Sequence, residues 1–227
     1  MKKLITVCLL AVAVCLLTST ASATILGTVN IQNHNNNLSD AGGLGGSVLA
    51  YGNYYTGVYS WTNAGGTGLG TSVPNWGFCI ELTQGSLNAQ HDVIPLNEAP
   101  LPVTAITPMG ITKADAIREL WGRNFDPTWA TGANRQMAEA FSACIWEIVW
   151  ETDSTLNVTT GTGFYSSIEQ AATANSWLSQ LTGDQSYFAM DLVAISNEGG
   201  QDFVVQVPEP ATVAILSLGG LLLFRKK

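Results

Sequence analysis

Between residues 24 and 207 the chain has almost no positive charge: Lys113, Arg118, Arg123 and Arg135 face sixteen acidic side chains, a formal balance of −12. Phosphate backbones and anionic membrane surfaces repel such a body, which argues against nucleic-acid binding. Histidine is scarce, with only His34 and His91. With no Cys-x-x-Cys or His-x-x-x-His pair either, the chain lacks the ligands of the common zinc sites, and no metal or cofactor is expected. Neither a Gly-x-Ser-x-Gly elbow nor a phosphate-binding loop occurs. Of four cysteines, Cys8 and Cys15 fall in the first apolar run, which leaves Cys79 and Cys144 for the body. Paired carboxylates for glycoside hydrolysis meet in space rather than in sequence, so Glu81, Glu147 and Glu151 stand as candidates that spacing alone cannot select. The reading is therefore a non-enzymatic protein, with a polysaccharide-acting hydrolase as an alternative.

What the chain does have sits first at its ends. Lys2-Lys3, an apolar run from Leu4 to Leu17 and Thr18-Ser19-Thr20-Ala21-Ser22-Ala23 follow the order of a secretory signal peptide, over residues 1–23 with cleavage after Ala23. The run is shorter than the ~20 apolar residues of a spanning helix. At the other end, over residues 207–227, Pro208-Glu209-Pro210 precedes an apolar stretch from Ala211 to Phe224 and a basic stop, Arg225-Lys226-Lys227. Prolines there set the segment apart from the body. A short apolar helix with terminal cations that stay in the cytoplasm is expected to anchor in the membrane, transiently or stably, and leave the body outside.

The body, residues 24–206, reads as a single domain. Residues 24–75 are rich in Gly, Asn, Ser, Thr and Tyr, which suggests short strands punctuated by Gly42-Gly43-Leu44-Gly45-Gly46 and Gly65-Gly66-Thr67-Gly68. Exposed Tyr and Asn in this segment offer contacts for an exopolysaccharide, beside their ordinary role in strands and turns. Phe78, Ile80 and Leu82 alternate with Cys79 and Glu81 as in a strand, and four prolines make residues 84–111 irregular. Helices are expected from Thr112, in capping-box style, to Phe125-Asp126-Pro127, from about Asn134 to Glu151, and from Ser166 to Leu181. Strands over 187–195 and 202–207 flank the turn Asn197-Glu198-Gly199-Gly200. Strands early and late with helices between them predict an α+β fold, short β-strands flanking a central helical segment.

Two resemblances follow from these residues. The tail resembles the PEP-CTERM sorting signal, with Pro208, Glu209 and Pro210, then the apolar helix, then Arg225, Lys226 and Lys227. That resemblance implies an exosortase-type membrane peptidase as partner, and delivery to the surface or exopolysaccharide matrix (biofilm) of a Gram-negative bacterium. Gly77-Phe78-Cys79-Ile80-Glu81 together with Ala140-Phe141-Ser142-Ala143-Cys144-Ile145-Trp146-Glu147-Ile148 resembles the thioester domains of bacterial surface adhesins, in which a strand Cys and a helix Gln condense into an electrophile. Leu120-Trp121-Gly122-Arg123 ahead of that helix is similar to an arrangement seen among PEP-CTERM proteins. Here Ser142 stands at the Gln position and has no carbonyl to acylate; Gln136, six residues earlier, is about 9 Å away along a helix axis. The resemblance thus implies a thioester-like domain without its electrophile, a covalent adhesin using Cys79 being the second alternative. Cys79 and Cys144 remain open between two readings. A disulfide would suit an oxidising compartment and close a loop worth roughly 4 kcal/mol; two free thiols would suit Cys144 on the apolar stripe, ~200° from position 142.

Overall fold

A computed structural model of the chain describes residues 23–46, 52–101, 107–152 and 155–208. The expected signal peptide up to residue 22, and the expected sorting segment from Glu209 on with Pro210, Arg225, Lys226 and Lys227, lie outside the described residues.

The early segment forms two long strands, β1 (Gly27–Gly46) and β2 (Gly52–Gly68), followed by β3 (Trp76–Cys79) and β4 (Gln90–Pro95). Helix α1 (Ile111–Asn124) and helix α2 (Arg135–Trp150) come next, then β5 (Phe164–Ser166), α3 (Ala171–Leu178), β6 (Leu192–Asn197) and β7 (Gly200–Gln206). All pairings are antiparallel, in the order β1-β2-β3-β7-β6-β4 and back to β1. At the closing seam, Gly27 stands opposite Gly68 of β2 on one side and Val93 of β4 on the other. Strand β5 joins the far end of β1 outside this ring.

The expected α+β fold is therefore corrected: the chain is mostly β, a closed six-stranded antiparallel barrel with three short helices. Sequence periodicity missed the two longest strands because their pairing slips three times, between Val29 and Ile31, Gln32 and Asn35, and Asn35 and Leu38. Each irregularity breaks the alternation by which a strand is recognised. The glycines read as turns lie within the ladder. A Cβ on Gly66 would overlap the Thr28 carbonyl, so the seam can close only where glycine stands.

Strand alternation divides the apolar residues between two faces. On one, Tyr59, Trp61, Cys79 and Phe203 turn into the barrel, with Phe203 5.2 Å from Trp61 and 5.6 Å from Tyr59, ring centre to ring centre. These rings meet across Gly77, where a side chain would strike Trp61 and Val205. On the other face Phe78 meets Phe141 of α2 at 5.0 Å and the Trp121 ring of α1 edge-on at 5.6 Å. Trp129 and Phe125 complete this aromatic layer between barrel wall and helices. Helix α2 is buried on every side from Ala138 to Trp150, not along one stripe alone.

The ends of α1 and α2 are locked together. No capping box forms at the start of α1. Asp115 instead pairs with Arg118 at 2.6 Å, and Lys113 donates to the last carbonyls of α2. Among the described residues no helix is long and apolar enough to cross a membrane.

Candidate functional site

The sequence-marked residues gather on β3 and α2. Cys79 ends β3 and is fully buried, its Sγ donating to the Glu81 carbonyl at 2.6 Å. Burial pushes its thiol far above the usual range, and the carboxylates of Glu81 and Asp202 push the same way. The Trp146 indole N–H, which meets no oxygen, lies close enough to the sulfur to act in the opposite sense. Ser142 precedes Trp146 by one helical turn and so shares its face. Its Oγ is buried without a hydrogen-bond partner. The Trp146 side of α2 therefore presents a hydroxyl and an indole, neither an acyl donor, while the side-chain amide of Gln201 on β7 donates at 3.4 Å to the same Glu81 carbonyl that the Cys79 sulfur meets.

Cys144 looks elsewhere. Its Sγ donates to the Ala174 carbonyl of α3 at 3.3 Å, and both cysteines are free thiols. Burial, followed by the negative charge of Glu147, raises the Cys144 thiol well above its normal range. Neither sulfur is an exposed, low-pKa thiolate of the kind that reacts.

The candidate carboxylates are each bound by backbone. Glu81 accepts from both the N–H and the hydroxyl of Thr83 through one oxygen. Glu147 accepts the Asn157 N–H at 2.6 Å, and its other oxygen is without a partner. Glu151 accepts from Thr152 at 2.7 Å and Gly163 at 3.1 Å. With exposures of 6%, 0% and 3%, Glu81, Glu147 and Glu151 lie inside the fold and do not flank an open cleft.

Two buried carboxylates escaped the sequence reading. Asp202 of β7 is buried, accepts the Asn197 N–H at 2.9 Å and stands near Glu81. Glu119 gathers Arg123 at 2.7 Å and the N–H groups of Thr182 and Gly183 around one buried carboxylate. Donors to a carboxylate lie far away in sequence, so no local signal marks either residue. The Trp121-Gly122-Arg123 motif proves architectural. Trp121 donates to Gln206 at 3.1 Å, Gly122 leaves room for the Tyr187 carbonyl, and the Arg123 guanidinium sits 3.6 Å from the Tyr187 ring centre.

A surface cavity of about 530 Å³ has Thr24, Asp92, Ile94, Glu98, Pro108 and Ser196 in its wall, and Ser196 also bonds to the Asp202 carboxyl. Among the described residues no cluster of three or more His, Cys, Asp or Glu is placed to hold a metal ion.

Fold and site together define a small closed antiparallel barrel with a buried central helix. No family model, no curated protein and no solved structure matches the chain.

Proposed function

We propose that this is an exported, non-enzymatic protein of the cell envelope or exopolysaccharide matrix, sorted by an exosortase-type peptidase that reads its C-terminal segment. The observation that carries the reading is the order of the two ends, Lys2-Lys3 with an apolar run and Ala21-Ser22-Ala23 at one, and Pro208-Glu209-Pro210, an apolar stretch and Arg225-Lys226-Lys227 at the other. Thr24, directly after the expected cleavage point, already donates through its N–H and its hydroxyl to Glu98. At the other end of the described residues Val207 donates to Asp191 at 3.0 Å, and Pro208 follows with no N–H to give. The described body lies between the two segments read as terminal signals. Its acidic surface suits a life outside the inner membrane, apart from anionic lipid.

The interior supports a structural or binding role over a chemical one. Both body thiols are buried and held protonated, and the three candidate carboxylates accept hydrogen bonds from the backbone of Thr83, Asn157, Thr152 and Gly163. Removal of residues 208–227 tests the sorting claim: the truncated protein is expected to leave the membrane and surface fractions for the periplasm or medium. Unchanged fractionation would sink it.

A further inference from the structure

Among the described residues no cation pairs with Glu98. Of the four basic residues of the body, Lys113 is bound to the end of α2, Arg118 to Asp115 and Arg123 to Glu119, and none of the four lines the cavity in which Glu98 stands. The ionisable side chains in that cavity wall are Asp92 and Glu98, both acidic. Against this wall the backbone nitrogen of Thr24 is held by one oxygen of Glu98 and the Thr24 hydroxyl by the other, at 3.3 Å. Two residues on, Leu26 donates to Val93 at 2.8 Å and accepts from Leu69, which begins the seam where β1 closes the barrel.

We propose that the α-ammonium of Thr24, released when the leader is cut after Ala23, docks on the Glu98 carboxylate and supplies the cation that this acidic cavity lacks. The inference rests on the leader reading above. Hydrolysis of the Ala23–Thr24 amide by a leader peptidase places the hydroxyl of water on the Ala23 carbonyl carbon and its hydrogen on the Thr24 nitrogen. That nitrogen takes up a further proton at neutral pH. A neutral N–H with one donor becomes a charged group with three, at a position already hydrogen-bonded to a half-buried carboxylate. Processing therefore changes the charge at the start of the barrel seam. A docked ammonium titrates above its free value, so its contribution to stability is fully present below the unfolded α-amino pKa and is lost as pH rises through the folded one.

The test uses the full chain exported through a periplasm and purified after processing. N-terminal sequencing reads the first residue, and trace acetylation across a pH series, followed by mass spectrometry of the N-terminal peptide, reads the titration of its amine. Thr24 is expected first, with its amine titrating roughly 0.5 to 1 unit above the usual α-amino range of about 7.7–8.0. At neutral pH its acetylation should be about three- to tenfold slower than in Glu98→Gln. The same titration of wild type in denaturant needs no variant and should show the amine back in its usual range. Thr24 in first place with equal labelling in wild type, Glu98→Gln and denatured protein overturns the docking and leaves the leader reading intact. A different first residue overturns both.

Discussion

Lys113 Nζ lies 2.9 Å from the carbonyl oxygen of Glu151, and this contact ties the first turn of α1 to the end of the helix that carries Ser142 and Cys144. It also donates to Val149, so a cation meets carbonyls that a helix C-terminus leaves unpaired. Lys113→Met keeps the aliphatic stem and removes the charge. We expect a loss of about 1–3 kcal/mol in unfolding free energy by urea titration. A variant as stable as wild type would mean that water replaces the ammonium at no cost.

Burial pushes the Glu147 carboxyl up to about 7 against the opposing Asn157 N–H, and burial pushes Asp202 to about 7 as well. Both titrate near ~4 when unfolded. The folded state holds these protons more tightly, so the stability they contribute is fully present below ~4 and is lost as pH rises through 7. His34, driven down to about 4 by burial and by His91, works in the reverse sense. Its contribution is present above ~6.5 and disappears as pH falls toward 4. Wild type sums both trends, so the difference between variants is the clean measurement. Glu147→Gln should match wild type more nearly at pH 5 and exceed it at pH 8, by on the order of 2–3 kcal/mol relative to pH 5. No change in that difference between the two pH values would falsify the buried-acid assignment.

A Cβ on Gly70 would collide with the carbonyl of Thr28, whereas one on Gly85 would meet open space. Gly70→Ala is expected to lower the melting temperature steeply or prevent folding, and Gly85→Ala to leave it within a few degrees of wild type. Equal effects would show that the seam yields where tight closure predicts it cannot.

Both body thiols are buried and donate to different carbonyls. In the processed protein, alkylation should label neither under native conditions and both after unfolding, with a mass short of neither ammonia nor two hydrogens. A mass short of one ammonia would restore the covalent adhesin, and one short of two hydrogens would mean that Cys79 and Cys144 are joined.

Much of the local structure was legible in the sequence, and the architecture was not. Helices α1 and α2 declared themselves through 3.6-residue spacing and the stop at Phe125-Asp126-Pro127, and the β6–β7 hairpin through Asn197-Glu198-Gly199-Gly200. The phase of β3 was also readable, since Phe78 faces the helices and Cys79 the barrel. Barrel closure was hidden: Gly27 meets Val93 across 66 residues, and no window of sequence contains both ends of that seam. The Glu119 and Asp202 sites were hidden for the same reason, and β5 because Phe164–Ser166 is too short to show alternation.

The ring order has a consequence for the sequence of events as the chain emerges from any channel. Strands β1 and β2 are neighbours in sequence and can pair early as a hairpin, but β3 waits for β7, and β4 waits for β6. Contacts between such distant segments are slow to form. The ring cannot be completed until Gln206, the last residue of β7, has been delivered, two residues before Pro208. For nearly the whole of its passage the body must remain an open set of strands. It becomes a closed object only once β7 has been delivered.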